Sequence, residues 1–510
     1  MFSDPSRRAF LSSAAGAGVL ASLGDFAFLR GLPPLSAAQV QAVPNVVRLA
    51  ADIEPLVRML EDTPRERLLE EAGQRIRTGT SYQEMLAAVL LAGVRSIRPR
   101  PVGFQFHAVL VTNSAHLASV AAQDRDRWLP LFWALDNFKT SQARHLQSTD
   151  WKMPPVNEAR LPEAAHARRR FIEAMDNWDE EGADVAIASL VRSAGASEVI
   201  ELFWRYGARD FRDIGHKAIY SANAWRTLNT IGWRHAEPVM RSLAFALLEH
   251  SGTNPARRDD PADRPWRENL ARAARIRRDW RRGRITPQAT TDLLAALRTA
   301  APSEGSERIV TMLNNGIDPS SLWDGLLLTA GELIGRQPGI VGIHCVTTVN
   351  ALHFAYQTSE NDETRQMLLL QGAAFLPMFR QAMLGRGRLS NLRIDTLERQ
   401  EPQGRGPQAI EEIFADVSRD RTIAARKTLG LLQRDQASAQ ALMAAGRRLI
   451  FTKGRDSHDY KFSSAALEDF YHATPAWRDR FLATSMFNLR GSGQADNDLI
   501  RRTRTALGNA

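Results

Sequence analysis

The chain has 510 residues, 44% hydrophobic and 24% charged, the composition of an ordinary globular protein; length alone allows about two to four domains. Its net charge of +9 comes from arginine, since lysine occurs only at Lys139, Lys152, Lys217, Lys427, Lys453 and Lys461. The single cysteine, Cys345, excludes an intrachain disulfide. The densest basic run, Arg257 to Arg284, is interleaved with Asp259, Asp260, Asp263, Glu268 and Asp279 and has few aromatics. That pattern describes a solvated face or loop, so no nucleic-acid partner is expected.

At the N-terminus, Ser6-Arg7-Arg8-Ala9-Phe10-Leu11 precedes a mildly apolar run, and Leu35-Ser36-Ala37-Ala38 offers small residues for cleavage. Residues 1–38 resemble a bacterial twin-arginine export signal. The expected location is therefore periplasmic or extracellular, reached through the twin-arginine export machinery. That route carries folded proteins, often with a cofactor in place, which favours a metal or redox protein.

From about residue 45 the pattern is helical almost throughout. Val46, Val47, Leu49, Ile53, Leu56, Val57 and Leu60 recur at helical spacing, as do Met85, Leu86, Val89, Leu90, Val94 and Ile97. Pro154-Pro155, Pro162, Pro302 and Pro319 separate helices of roughly ten to twenty residues. The expected fold is all-α: one large helical domain over residues 45–510. The segments Thr253–Pro265 and Gly385–Gly406 read as surface excursions. No apolar run beyond the N-terminal one reads as long enough to cross a membrane.

One internal echo stands out. His107, Asn113 and His116 recur at the same spacing as His344, Asn350 and His353, each set followed by acidic residues and another apolar helix. This suggests a duplicated helical hairpin. A third segment, His216 to Arg226, places Asn223 seven residues after its histidine, on nearly the same helix face.

Of the eleven histidines, His145, His166, His235, His250 and His472 lie in polar or unpatterned contexts and are expected to be bland. His107, His216, His344 and His458 lie at or near the start of apolar helical stretches. A buried imidazole there needs a hydrogen-bond partner or a metal. Nine residues at about 100° each turn His116 away from His107 and His353 away from His344, so only one of each pair can face a shared site. His458 and Lys461, three apart, share a helix face. A charged lysine beside a histidine is unfavourable, whereas a neutral, modified lysine or a shared metal removes the conflict.

Four segments carry a family resemblance. Asp456-Ser457-His458-Asp459-Tyr460-Lys461-Phe462 is similar to the D-E-H-A-x-K-[FL] segment of the questin oxidase-like proteins. His216 to Arg226 resembles their H-G-x-I-R-x-A-H-A-x-R, Ile343 to Thr347 their F-H-x-V-T, and Phe106 to Val109 falls where they have N-H-G-P-M. The four occur in family order, with Lys217 replacing a glycine, Asn223 a histidine and Phe106 an asparagine. The resemblance implies an all-helical oxygenase with mononuclear non-haem iron. Its ligands would be His107, His216, His344, His458 and a carboxylated Lys461, with His116 and His353 in reserve. Dioxygen and an organic, aromatic or polyketide-like molecule would be the substrates. Asn223, Asn113 and Asn350 are expected to support the ligands, and Tyr460 or Tyr220 to donate a proton. Two other classes remain: a zinc hydrolase using the same carboxylated lysine, and a non-enzymatic helical scaffold.

Overall fold

The computed structural model describes residues 45–508; segment 1–38, expected from the sequence to be an export signal, lies outside the described residues. As expected, helices joined by short loops make up the architecture, and one isolated bridge between Arg284 and Ile317 is the sole β pairing among the described residues. The helices that build the site are α1 (Tyr82–Ser96), α2 (His107–Leu110), α3 (Thr112–Val120), α4 (Leu129–Leu146), α5 (His216–Ile231), α6 (Ile340–Thr358), α7 (Asp362–Leu384) and α8 (Ser457–His472).

Local sequence explains where many of these helices begin. Pro302 and Pro319 each occupy the first helical position, where the missing N–H costs nothing and φ is already helical. Ser81 and Glu84 form a reciprocal capping box on α1, and Asp456 with Asp459 do so on α8. The apolar faces of α1, α5, α6 and α7 are almost wholly buried in one continuous core.

The two echoed segments each form a helix–acidic loop–helix hairpin, α3 with α4 and α6 with α7. More informative is the direction of packing. Hydrogen bonds join His107 to His216, then Asn113 to Asn223, then His116 to Thr230. Along α6 and α8 they join His344 to Lys461, Asn350 to Asp469, and Gln357 to His472. Partners advance together along both chains, so α2–α3, α5, α6 and α8 run parallel. Arg226 bonds both Asn350 and Glu468, which ties the two pairs together. The N-terminal ends of all these rods therefore meet at one point.

Three sequence expectations change. Thr253–Pro265 is more than a surface loop: Asp260 and Asp263 grip Arg212 at 2.7 and 2.6 Å and brace the turn before His216. Within 385–406, Ile394 and Leu397 dock into the core, and Asp395 pairs with Arg298. Helix α7 is long and apolar enough by composition to cross a membrane, but 72% of its apolar window is buried inside the protein. Its Gln371 is satisfied there, accepting from Asn269 and donating to the Ala208 carbonyl.

Candidate metal centre

His107 opens α2, His216 opens α5, His344 lies in the first turns of α6, and His458 and Lys461 lie in those of α8. The parallel packing brings all five side chains together. Ring centroids are 5.0 Å apart for His107–His216, 4.6 Å for His107–His458, 4.2 Å for His216–His344 and 5.1 Å for His344–His458. The Lys461 amine is 3.4 Å from His344 Nε2. One ligating atom from each of His107, His344 and His458 lies within 4.8 Å of the others.

The outward-facing ring nitrogens are held one by one. His216 Nδ1 lies 2.5 Å from the Asp213 carbonyl and His344 Nδ1 2.7 Å from that of Ile340. A carbonyl only accepts, so both rings carry the proton on Nδ1 and turn an Nε2 lone pair inward. His458 Nδ1 lies 2.5 Å from the Asp456 carboxylate, which leaves its buried Nε2 without any partner. His107 Nε2 and His216 Nε2 then face each other at 2.9 Å. His216 Nε2 is the acceptor there, so either His107 donates its Nε2 proton or, with that proton lost, a cation lies between the two nitrogens. Neighbouring ligands of an octahedral metal with bonds of about 2.1 Å are separated by about 3.0 Å, so the donor set and its spacing fit a metal ion. Imidazole orientation by carbonyl and carboxylate is what such ligands require.

Burial and the neighbouring Lys461 hold His107, His216 and His344 well below the usual imidazole range, so they stay neutral with lone pairs free. Burial also pulls the Lys461 amine down to about 7. A large share of it is then the neutral amine, the nucleophilic form. His216, His344 and Lys461 are 5%, 1% and 2% exposed, whereas His107 and His458 are half-buried, so the site opens between those two.

The backbone leading to the site is strained. Phe104 has φ 46°, and Asp213 and Ile214 have φ 53° and 48°, left-handed values that side chains with a Cβ disfavour. Such residues persist where the surroundings over-determine them, typically at functional sites. Gly215 follows at φ 81°, and a Cβ there would lie 2.1 Å from Thr348 Oγ1. The glycine lets the start of α5 press against α6.

Other expected site residues are placed elsewhere. His116 bonds Tyr82 and Thr230, and His353 faces Trp323 and His472, so neither reserve reaches the centre. None of the three asparagines touches a clustered histidine. Asn223 instead donates to the Leu110 carbonyl at the break between α2 and α3, and Asn350 donates to Glu468 and Asp469. Tyr460 stacks on Trp133 with its hydroxyl unpartnered, and Tyr220 donates to Ser242. The orienting groups that sequence reasoning missed are the carbonyls of Asp213 and Ile340, which no side-chain pattern signals. Asp456 was readable, because it caps α8 two residues before His458. Lys217 forms a fully buried ion pair with Asp210 at 2.9 Å and bonds the Glu249 carbonyl. No family model, curated protein or solved structure matches the chain.

Proposed function

We propose that the protein is an exported mononuclear non-haem iron oxygenase that oxidises an organic, aromatic-type substrate with dioxygen. The observation carrying this reading is the convergence of four imidazoles and Lys461, with His216, His344 and His458 each held through Nδ1 so that Nε2 faces inward, and His107 Nε2 2.9 Å from His216 Nε2. The resemblance of the four motif segments to questin oxidase-like proteins supports the choice of iron. Bound iron would supply a redox-active Lewis acid for dioxygen chemistry.

His107, His216, His344 and His458 would hold the metal through Nε2. The Lys461 amine adds to carbon dioxide and loses a proton, which gives a carbamate oxygen as the fifth, anionic ligand. The N-terminal ends of α5, α6 and α8 point their positive dipole ends at that anion and favour it. Substrates would enter between His107 and His458, the less covered side. Phe104, 72% exposed and three residues before His107, offers an apolar surface beside that entry.

Metal analysis of anaerobically purified protein tests the proposal. About one iron per chain is expected, lost in His458→Ala and Lys461→Ala. Zinc in its place would move the protein to the hydrolase class, and metal-free wild type with unaltered variants would sink the proposal.

A further inference from the structure

A second cluster lies farther along the same two helices. His353 on α6 faces His472 on α8 with ring centroids 4.9 Å apart, and Asp469 joins them. One ligating atom from each of the three lies within 4.8 Å of the others. His353 is 5% exposed and Asp469 fully buried, yet His353 Nδ1 and Asp469 Oδ2 have no hydrogen-bond partner. Unpaired buried polar atoms of this kind cost free energy and call for an occupant.

We propose that His353, Asp469 and His472 form a second, separate site for one divalent transition-metal ion. Two imidazoles and a carboxylate suit zinc or iron(II). The charge balance points the same way. Among the described residues Arg226 is the one cation bonded into this network, and it pairs with Glu468 at 2.6 Å. Asn350 donates to Glu468 and to Asp469 Oδ1, both at 2.8 Å, so Asp469 has a neutral partner only. A bound dication supplies the missing positive charge. In its absence burial and the neighbouring Glu468 hold the Asp469 carboxyl well above its usual range, and burial holds His353 down to about 3.

The surroundings suit a ligand set. Gln357 Nε2 lies 3.2 Å from His472 Nδ1 and donates to it, so Nδ1 carries the lone pair and becomes the ligating atom when an ion displaces that amide. His472 is half-buried and gives the cluster a route to solvent. His353 is nine residues past His344 on α6, a rise of about 14 Å. The two centres are therefore separate mononuclear sites and do not share a bridging ligand.

The test is metal counting on metal-stripped full-length protein, titrated with Zn²⁺ against a chromophoric chelator and with Co²⁺ by its visible absorption. Asp469→Asn keeps the shape and the Asn350 contact but removes the anionic ligand; His472→Gln alters the least buried member. The expected result is that each variant binds one equivalent fewer than wild type and loses the matching Co²⁺ band. His458→Ala separates the two readings, because it removes a ligand of the first cluster only. If that cluster binds no metal, wild type binds one equivalent, kept in His458→Ala and lost in Asp469→Asn. The second site is overturned if Asp469→Asn and His472→Gln keep the wild-type stoichiometry, affinity and spectrum. In that case a proton shared between Asp469 and His353 occupies the gap.

Discussion

Asp456 has two jobs that can be separated by substitution. Its Oδ1 accepts from the His458 backbone N–H at 2.8 Å, capping α8, and from His458 Nδ1 at 2.5 Å, orienting the ring. The hydrogen bond from His458 holds the Asp456 carboxyl well below its usual range. Asparagine caps helices as well as aspartate, whereas loss of the cap to alanine costs about 1 kcal/mol. Loss of an orienting carboxylate lowers metal affinity by about 10- to 100-fold, or about 1.4–2.7 kcal/mol. The Asp456 side chain is 57% exposed, which places the effect near the lower end. In excess chelator, chemical denaturation of Asp456→Asn should match wild type within about 0.5 kcal/mol, and Asp456→Ala should lose about 1 kcal/mol. In chelator competition both variants should bind metal about tenfold more weakly. Wild-type metal affinity in Asp456→Ala, which has no acceptor for His458 Nδ1, would refute the assignment of His458 as an oriented ligand.

Lys461→Arg keeps a long basic side chain but cannot form a carbamate, so it should retain no metal through gel filtration; wild type prepared without bicarbonate should be underloaded. Gly215→Ala should cost about 2–5 kcal/mol, summing the left-handed backbone and the overlap with Thr348. Adding Thr348→Ala should recover the overlap share, and strict additivity in that cycle would argue against the contact. Lys217→Met should cost about 3 kcal/mol, the low end for breaking a buried pair, because Arg212 still lies 3.5 Å from Asp210. A variant as stable as wild type in urea would contradict this. Cys345 is fully buried, and burial pushes its thiol up. A thiol reagent should modify none of it in native protein and one equivalent after unfolding; rapid native labelling would mean that α6 opens near His344.

Much of this protein is written locally. Apolar residues at helical spacing announce an all-α chain because helix burial depends on residues a turn apart. His458 and Lys461 could be paired because i and i+3 share a face. The same arithmetic turned His116 and His353 away from the partners they follow, and the structure has both rings elsewhere. His107, His216 and His344 were marked by their places at helix starts, but their meeting was not. That depends on α2–α3, α5, α6 and α8 packing parallel with their N-terminal ends together, a matter of long-range contacts. What turns three of the rings is local, two to four residues before each histidine, but only Asp456 among these groups carries a side-chain signal. The carbonyls of Asp213 and Ile340 are backbone groups that every residue possesses, so their aim at imidazoles three and four residues on leaves no mark in the residue types. His472 looked bland for a tertiary reason. Asp469 lies three residues away on its own helix face, but His353 arrives from α6, more than a hundred residues earlier in the chain.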